Sequence, residues 1–419
     1  MFENVLFQSA PDLLTEDIRR ERLPGSLLFA GPAASGKLTC ALELARVLSC
    51  REQGAWNCSC SNCRQHKALV SPAVLVTGPG NRSLEIAAAR NTLLAQNANN
   101  TSHLEAARYL YLRAVRKLTV RFSPVLWEGD DKVSKFSPLL QAIDEDLEQL
   151  EPGRTIPDGE QLEKITADVA KQCAKLEDSF LYDALPVSQI RNFSSWAHLT
   201  SAAGRKVLII ENADVMADSA RNALLKILEE PPENVTFILT TTRRGAMLPT
   251  ILSRVRTYTF FPRTQQQQQT VIERVFHYNA RLNGGKLPDS IDAFLQTFLP
   301  VQPDLVRDYA GQYFRCIAAG HVPDIPQIAA ACGSFSPAVL FTIFLQGIIE
   351  CQRPLAVSAA GAEASARILA ELRTVADDVR VFNLNPAAAL ERLTRSLMQT
   401  NMLNGGIFRS LIQEASDGE

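Results

Sequence analysis

The segment Gly31-Pro-Ala-Ala-Ser-Gly36-Lys37 constrains the fold more than any other part of the chain. Two glycines five residues apart, with a lysine directly after the second, is the spacing of a phosphate-binding loop. In such a loop successive backbone N–H groups and the lysine cradle β- and γ-phosphates at a helix N-terminus. The flanks supply the setting: Ser26 to Ala30 is an apolar run that predicts a buried strand, and Ala41 to Leu48 carries apolar residues at helical spacing. Strand, glycine loop and helix in that order make Gly31, Ser35, Gly36, Lys37 and Thr39 the candidate nucleotide contacts. The alternative is a glycine turn retained for the fold alone.

Two departures weaken the chemistry such a loop supports. Leu38 stands where a hydroxyl normally ligates Mg²⁺, and Thr39 comes one residue late, turned by about 100° on a helix. Farther along, the predicted strand Val207-Leu-Ile-Ile210 ends in Glu211-Asn212, and an amide at 212 has no usable basicity to activate water. Glu211 is left to reach a metal through water. Asp214 is either a substitute base or a cap for the helix beginning near Ala217. These residues predict ATP or ADP binding with Mg²⁺ held weakly or not at all, and no ATPase activity of the chain's own.

Strand-like runs at Ala73 to Val76, Lys206 to Ile210 and Val235 to Thr240 alternate with helical ones such as Asp218 to Glu230, which predicts a parallel sheet with helices on both faces. Between about 85 and 185 the pattern changes to long helical stretches, Leu104 to Val120 and Leu162 to Leu176 among them, broken by Pro124, Gly129, Pro152-Gly153 and Pro157-Asp-Gly159. We read this as a helical insertion. Its basic residues, Arg108, Arg113, Arg116, Lys117 and Arg121, and its acidic run from Asp144 to Glu151 are expected to be solvated helix faces. From Thr264 onward the chain reads as helical, with Gln265 to Gln269 the polar first turns of a helix and loops near Gly284-Gly285, Pro323 and Asn383 to Pro386.

With 419 residues, 46% apolar and 21% charged, the chain has material for several cores. No apolar run reaches the roughly 18 residues of a spanning helix, and Met1 to Asp17 lacks a signal peptide's basic and apolar regions. A cytoplasmic protein without membrane attachment is expected. A net charge of −2 supplies no basic field for autonomous nucleic-acid binding, so any DNA contact is local or shared with partners. Four of the nine cysteines, Cys50, Cys58, Cys60 and Cys63, fall within fourteen residues. In a reducing compartment they predict a closed tetrahedral Zn²⁺ site with a structural role. His66, close by, is expected at the surface.

Arg22 to Pro32, the Gly-Lys-x-Thr ending of the loop, and Asp218-Ser-Ala-Arg-Asn-Ala-Leu-Leu-Lys-Ile-Leu-Glu-Glu-Pro-Pro232 together resemble the delta-prime and gamma/tau clamp-loader subunits of bacterial DNA polymerase III. Gln189-Ile-Arg191 and Leu248-Pro-Thr-Ile-Leu-Ser-Arg-Val255 add to the likeness, with Val255 where the family has the cysteine of Ser-Arg-Cys. The resemblance covers residues 2–76 and 185–263, with a weaker echo from Asn385 to Leu397; the stretch 85–185 has no counterpart in it.

The resemblance implies an AAA+ P-loop parallel-sheet core over 1–263, with a zinc knuckle at 50–63 and the helical insertion at 85–185. An all-α lid over 264–324 and an all-α collar over 325–419 follow. It implies a subunit of a hetero-oligomeric ring with gamma/tau and delta subunits, engaging a sliding clamp and, through the complex, primer-template DNA. The zinc module falls where the family inserts one, although the family's usual spacing puts two residues between the second and third cysteines. Arg254 is implied as an arginine finger acting on a neighbouring subunit's ATP, and Arg307 is either a lid residue that senses nucleotide or a surface charge on a lid helix. Leu38 and Asn212 favour delta-prime, whose own site is decayed, over an active gamma/tau-like ATPase. An autonomous ATPase motor, or a purely structural interaction protein whose loop binds nothing, is also compatible with a loop of this spacing.

Overall fold

A computed structural model describes residues 1–199, 205–278, 287–381, 384–403 and 407–409. It divides into two compact units, Met1–Leu295 and Gln296–Glu419. In chain order the first contains α1 (Ala10–Arg19), β1 (Ser26–Ala30), α2 (Lys37–Ser49), α3 (Ser61–Ala68) and β2 (Val74–Thr77). Then come α4 (Ser83–Ala98), α5 (Leu104–Thr119), α6 (Val133–Gln149), α7 (Gly159–Phe180) and α8 (Val187–His198). It continues with β3 (Lys206–Ile210), α9 (Asp218–Glu229), β4 (Val235–Thr241), α10 (Pro249–Leu252), β5 (Arg256–Thr259) and α11 (Gln265–Phe276), and the division falls in α12 (Ile291–Gln296).

The five strands form one parallel sheet in the order β2-β3-β4-β1-β5. β1, β3 and β4 are buried along their whole length, as central parallel strands covered on both faces must be. Alternate residues feed two cores. Leu27, Phe29, Val207, Ile209 and Ile238 pack with α2 residues such as Leu44 on one face. Leu28, Ala30, Leu208, Ile210 and Leu239 pack on the other with α8, α9 and the helices α4 to α7.

The helices of 85–185 are therefore part of the main core, not an appendage. Their basic residues are also not the solvated face expected from sequence, because they are spent inside the fold. Arg108 is buried and donates to the carbonyls of Leu150 (3.2 Å), Glu151 and Arg154 (3.0 Å), closing the C-terminus of α6. Arg116 reaches the Ala68 carbonyl (3.1 Å) and Arg113 that of Lys67, both at the C-terminus of α3, where cations meet the unpaired carbonyls of a helix end. Between α5 and α6 an aromatic cluster forms, with Trp127 stacked on Phe122 and Tyr182 and edge-on to Phe136.

Gln265 to Gln269 opens α11, fixed by a reciprocal capping box between Thr264 and Gln267. The sequence-based boundaries at 264 and 325 do not coincide with the division of the chain at 295. α11 packs on α4 and α5, where the Thr92 hydroxyl donates to the Phe276 carbonyl at 3.1 Å. In the second unit α13 (Pro303–Ala318) lies against α15 (Val339–Gln352), with Tyr313 edge-on to Phe344. The same unit holds α14 (Ile325–Ala331), α16 (Ala359–Val381) and α17 (Pro386–Leu403). The loop expected at Gly284-Gly285 and the start of the one at Asn383 lie outside the described residues.

Candidate functional site

The loop from Gly31 to Lys37 leaves the C-terminal end of β1 and winds into α2. A Cβ at Gly31 would sit 2.3 Å from the Phe260 carbonyl oxygen, so the close pass of the chain after β5 requires glycine there. Ala34 (φ 53°) and Gly36 (φ 93°) are both left-handed on either side of Ser35, a winding that turns successive N–H groups toward one concave side. Lys37 is buried, its ammonium donating to the carbonyls of Gly31 (2.7 Å) and Pro32 (2.5 Å). Burial lowers its pKa to about 8 against the opposing pull of Glu211 and Asp214. Ser35 donates to the Pro32 carbonyl at 2.8 Å. Leu38 packs on the α2-side core, and Thr39 is half-buried. Arg263, which sequence reasoning missed, lies across the loop: it donates to the Ala34 carbonyl and, at 2.9 Å, to that of Leu6.

The acidic residue at the end of β3 is not open to a metal. Glu211 is buried, and one carboxylate oxygen accepts from Arg121 Nη2 at 2.7 Å while the other pairs with Arg82. Burial raises its pKa, but the two guanidiniums overcome this and hold the carboxyl down at about 2. Arg82 precedes α4 and Arg121 follows α5, so the helical segment itself neutralises this carboxylate. Asn212, left-handed at φ 48°, donates through its amide to the Pro79 carbonyl at 2.7 Å. Asp214 does not cap a helix: it accepts from the Thr241 hydroxyl (2.7 Å) and from Arg243 Nε (2.9 Å), and α9 begins at Asp218, after Ala217, without a side-chain cap. Gln189 is buried against the Thr77 hydroxyl at 2.5 Å.

Arg254 lies after α10 and is partly exposed. Its Nη2 donates to Glu229 Oε1 at 2.6 Å and its Nη1 to the Thr250 carbonyl at 2.7 Å. In the isolated chain its fork thus rests on the last residue of α9. Arg307, in the second turn of α13, pairs with Asp304 at 2.7 Å.

Cys50 directly follows α2, Cys58 lies in the loop, Cys60 directly precedes α3 and Cys63 sits in its first turn; their four sulfur atoms lie within 4.8 Å of one another. That spacing and the all-thiol donor set fit one tetrahedral ion, so the cluster is able to hold a metal. The Cys60 thiol is held down at about 6 by the backbone N–H groups of Arg51 and Cys63. His66 is buried, not at the surface, and burial with Arg46 and Arg113 nearby pushes its pKa down to about 4.

An all-parallel sheet with a phosphate loop after β1 and acidic residues after β3, with β4 between these two strands, defines an α/β domain of the AAA+ type. The sequence profile of the family described as DNA polymerase III, delta subunit matches residues 8–123 and 141–264, more than half of the chain. The chain belongs to this family of clamp-loader subunits. The match runs through α4, α5 and α7 and most of α6, which corrects the expectation that 85–185 has no counterpart; within that stretch only 124–140 falls outside it. Among curated proteins, the chain is 36% identical over 103 residues to DNA polymerase III subunit gamma/tau of Mycobacterium tuberculosis, covering 22% of this chain and 18% of that one. It is 39% identical over 71 residues to subunit delta′ of Escherichia coli (17% of this chain, 21% of that one), and 31% over 88 residues to replication factor C subunit 3 of Saccharomyces cerevisiae (21% and 26%). The aligned part thus spans about a fifth of the length of the curated relatives it matches first. Among the described residues no helix is long and apolar enough to cross a membrane.

Proposed function

We propose that this chain is a delta-prime-like clamp-loader subunit: it assembles with gamma/tau and delta subunits in a hetero-oligomeric ring and helps place a sliding clamp on primed DNA. Its own site takes nucleotide without hydrolysing it, the four-cysteine centre holds a structural Zn²⁺, and Arg254 serves a neighbour's site. The observation that carries the reading is the closure of Glu211 between Arg82 and Arg121. With each of its oxygens already accepting from a guanidinium, the carboxylate has its charge compensated inside the fold, and joining a Mg²⁺ shell would require breaking those pairs. It adds a third defect to Leu38 and Asn212, independent of both. The left-handed winding of the loop and the position of Lys37 support retained phosphate binding.

Steady-state ATP turnover by the purified chain, alone and with clamp and primed DNA, tests the hydrolysis part; the reading expects background rates in both. Turnover that disappears in Lys37→Ala would move the chain to the second reading, an active gamma/tau-like ATPase, which the similarity to gamma/tau proteins keeps in view. Co-purification with a sliding clamp and other DNA polymerase III subunits tests the assembly part.

A further inference from the structure

From Cys40 to Leu48 α2 is apolar except for Glu43 and Arg46, and both of these are buried, with 3% and 1% of their surface exposed. A buried guanidinium is costly unless its donors are paired. All five N–H donors of Arg46 are. Nε and Nη2 meet the two oxygens of Glu43 at 3.0 and 2.6 Å, a bidentate grip that holds the plane of the fork. Nη2 also donates to the Gly54 carbonyl at 2.8 Å, and Nη1 to the Ala55 carbonyl at 3.1 Å. The remaining Nη1 bond goes to Cys63 Sγ at 3.0 Å. The Trp56 ring covers the guanidinium at 5.6 Å and is flanked by Lys67, which donates to the Cys58 carbonyl at 3.1 Å.

We propose that Arg46 is the positioning residue of the four-cysteine centre: it holds the segment from Gly54 to Cys63 in a metal-receptive shape before an ion binds, and offsets the charge of the centre afterwards. The inference rests on the reading that the cluster takes a divalent ion. Four thiolates around such an ion carry two net negative charges, and Arg46 places a permanent cation in contact with one of them. Two backbone carbonyls between the ligands are fixed by the same fork, so the loop's path and the thiolate's orientation come from one side chain. A lysine keeps the charge but has three donors on one point, and cannot reproduce five bonds in a plane.

The test uses the full chain, stripped of metal by a chelator under reducing conditions and titrated with Co²⁺ alone, with Zn²⁺ affinity then read by competition. The thiolate-to-cobalt charge-transfer band counts sulfur ligands, and circular dichroism follows the fold. Arg46→Met and Arg46→Lys are expected to bind about 10- to 100-fold more weakly than wild type while reaching the same band intensity at saturation, with Arg46→Lys the less affected. Glu43→Gln, which keeps the cation and loosens its grip, should fall between wild type and Arg46→Met, and decides the matter if Arg46→Met does not fold. Folded variants with wild-type Co²⁺ and Zn²⁺ affinity overturn the proposal. A wild-type chain with no cobalt–thiolate band overturns the metal reading itself, an outcome distinct from tight binding in every variant.

Discussion

Arg121 donates through Nη2 to Glu211 Oε1 at 2.7 Å, joining the end of the helical segment 83–122 to the acidic residue that follows β3. The bond changes what repair of the visible defects is able to achieve. With Leu38→Thr and Asn212→Glu together, the hydroxyl and the base are restored, yet Glu211 stays bound to Arg82 and Arg121. The double variant is expected to bind nucleotide and still turn over ATP at background rate, and a clear gain in steady-state turnover would show that Glu211 is not needed.

The same pairing sets a pH dependence. Glu211 has a folded pKa of about 2 against an ordinary 4.5, so its contribution is fully present above about pH 4.5 and is lost as the pH falls toward 2. Arg121→Met leaves the buried carboxylate of Glu211 with Arg82 as its one remaining guanidinium and should cost about 3 kcal/mol in denaturant unfolding at neutral pH. Adding Glu211→Gln should recover part of that loss, since the under-compensated carboxylate is then gone while Arg82 keeps Glu85 as a partner.

Lys37 gives a second pH signature, of opposite sign. Its pKa in the unliganded fold is about 8, whereas phosphate needs the ammonium form. Nucleotide affinity should be level below pH 8 and fall up to about tenfold per pH unit above it, because binding must then take up a proton. The unfolded chain holds that proton up to about 10.5, so stability of the unliganded fold rises, not falls, between 8 and 10.5. Fluorescent-nucleotide titrations on either side of pH 8 check the first part, and an affinity independent of pH up to 10 would count against Lys37 as the phosphate ligand.

What could be read from the sequence was local. The phosphate loop, the strands at 206 and 235, the cysteine cluster and the helix from Asp218 each depend on residues within a dozen positions of one another, where periodicity and spacing carry the signal. β5 was missed because Arg256-Thr-Tyr-Thr259 is an edge strand, with only Tyr258 buried and little hydrophobic pattern. The partners of Glu211 lie 129 and 90 residues away in sequence, and no local pattern announces them. The basic residues of α5 misled for a related reason: at helical spacing they look like a solvated stripe, and only the fold shows helix-end carbonyls and acids waiting for them. Glu43 and Arg46, three apart in the otherwise apolar stretch from Cys40 to Leu48, did offer a signal of a buried pair.

For the metal centre we expect one ion per chain, lost in the double variant Cys60→Ser with Cys63→Ser and unaffected by substitution of Cys173, which is buried in the other core. Because Arg46 and Glu43 fix the loop, chelation should leave far-UV circular dichroism nearly unchanged. Full metal content in the double variant would show the ligand assignment to be wrong.

Under the proposed role as an arginine finger, Arg254 would face different demands in the ring and in the isolated chain. Alone, the guanidinium rests on Glu229 and on the Thr250 carbonyl. The pair is exposed, about a third on the arginine side and half on the glutamate side, so its worth to the fold is at most about 1 kcal/mol. A finger must be a permanent cation with a planar fork able to meet γ-phosphate oxygens as charge develops, and only arginine meets both needs. The Glu229 contact is weak enough to be given up for a neighbour's nucleotide and strong enough to keep the fork extended beforehand. In a reconstituted ring, Arg254→Ala and Arg254→Lys are expected to lower clamp- and DNA-stimulated turnover at the neighbouring site by about 10³-fold or more, with assembly and the stability of the isolated variant nearly unchanged. Glu229→Gln should leave turnover within a few-fold of wild type, because it removes the resting place and not the finger. Normal turnover in Arg254→Ala, combined with a stability loss well above 1 kcal/mol, would assign the residue to the internal tie with Glu229 instead.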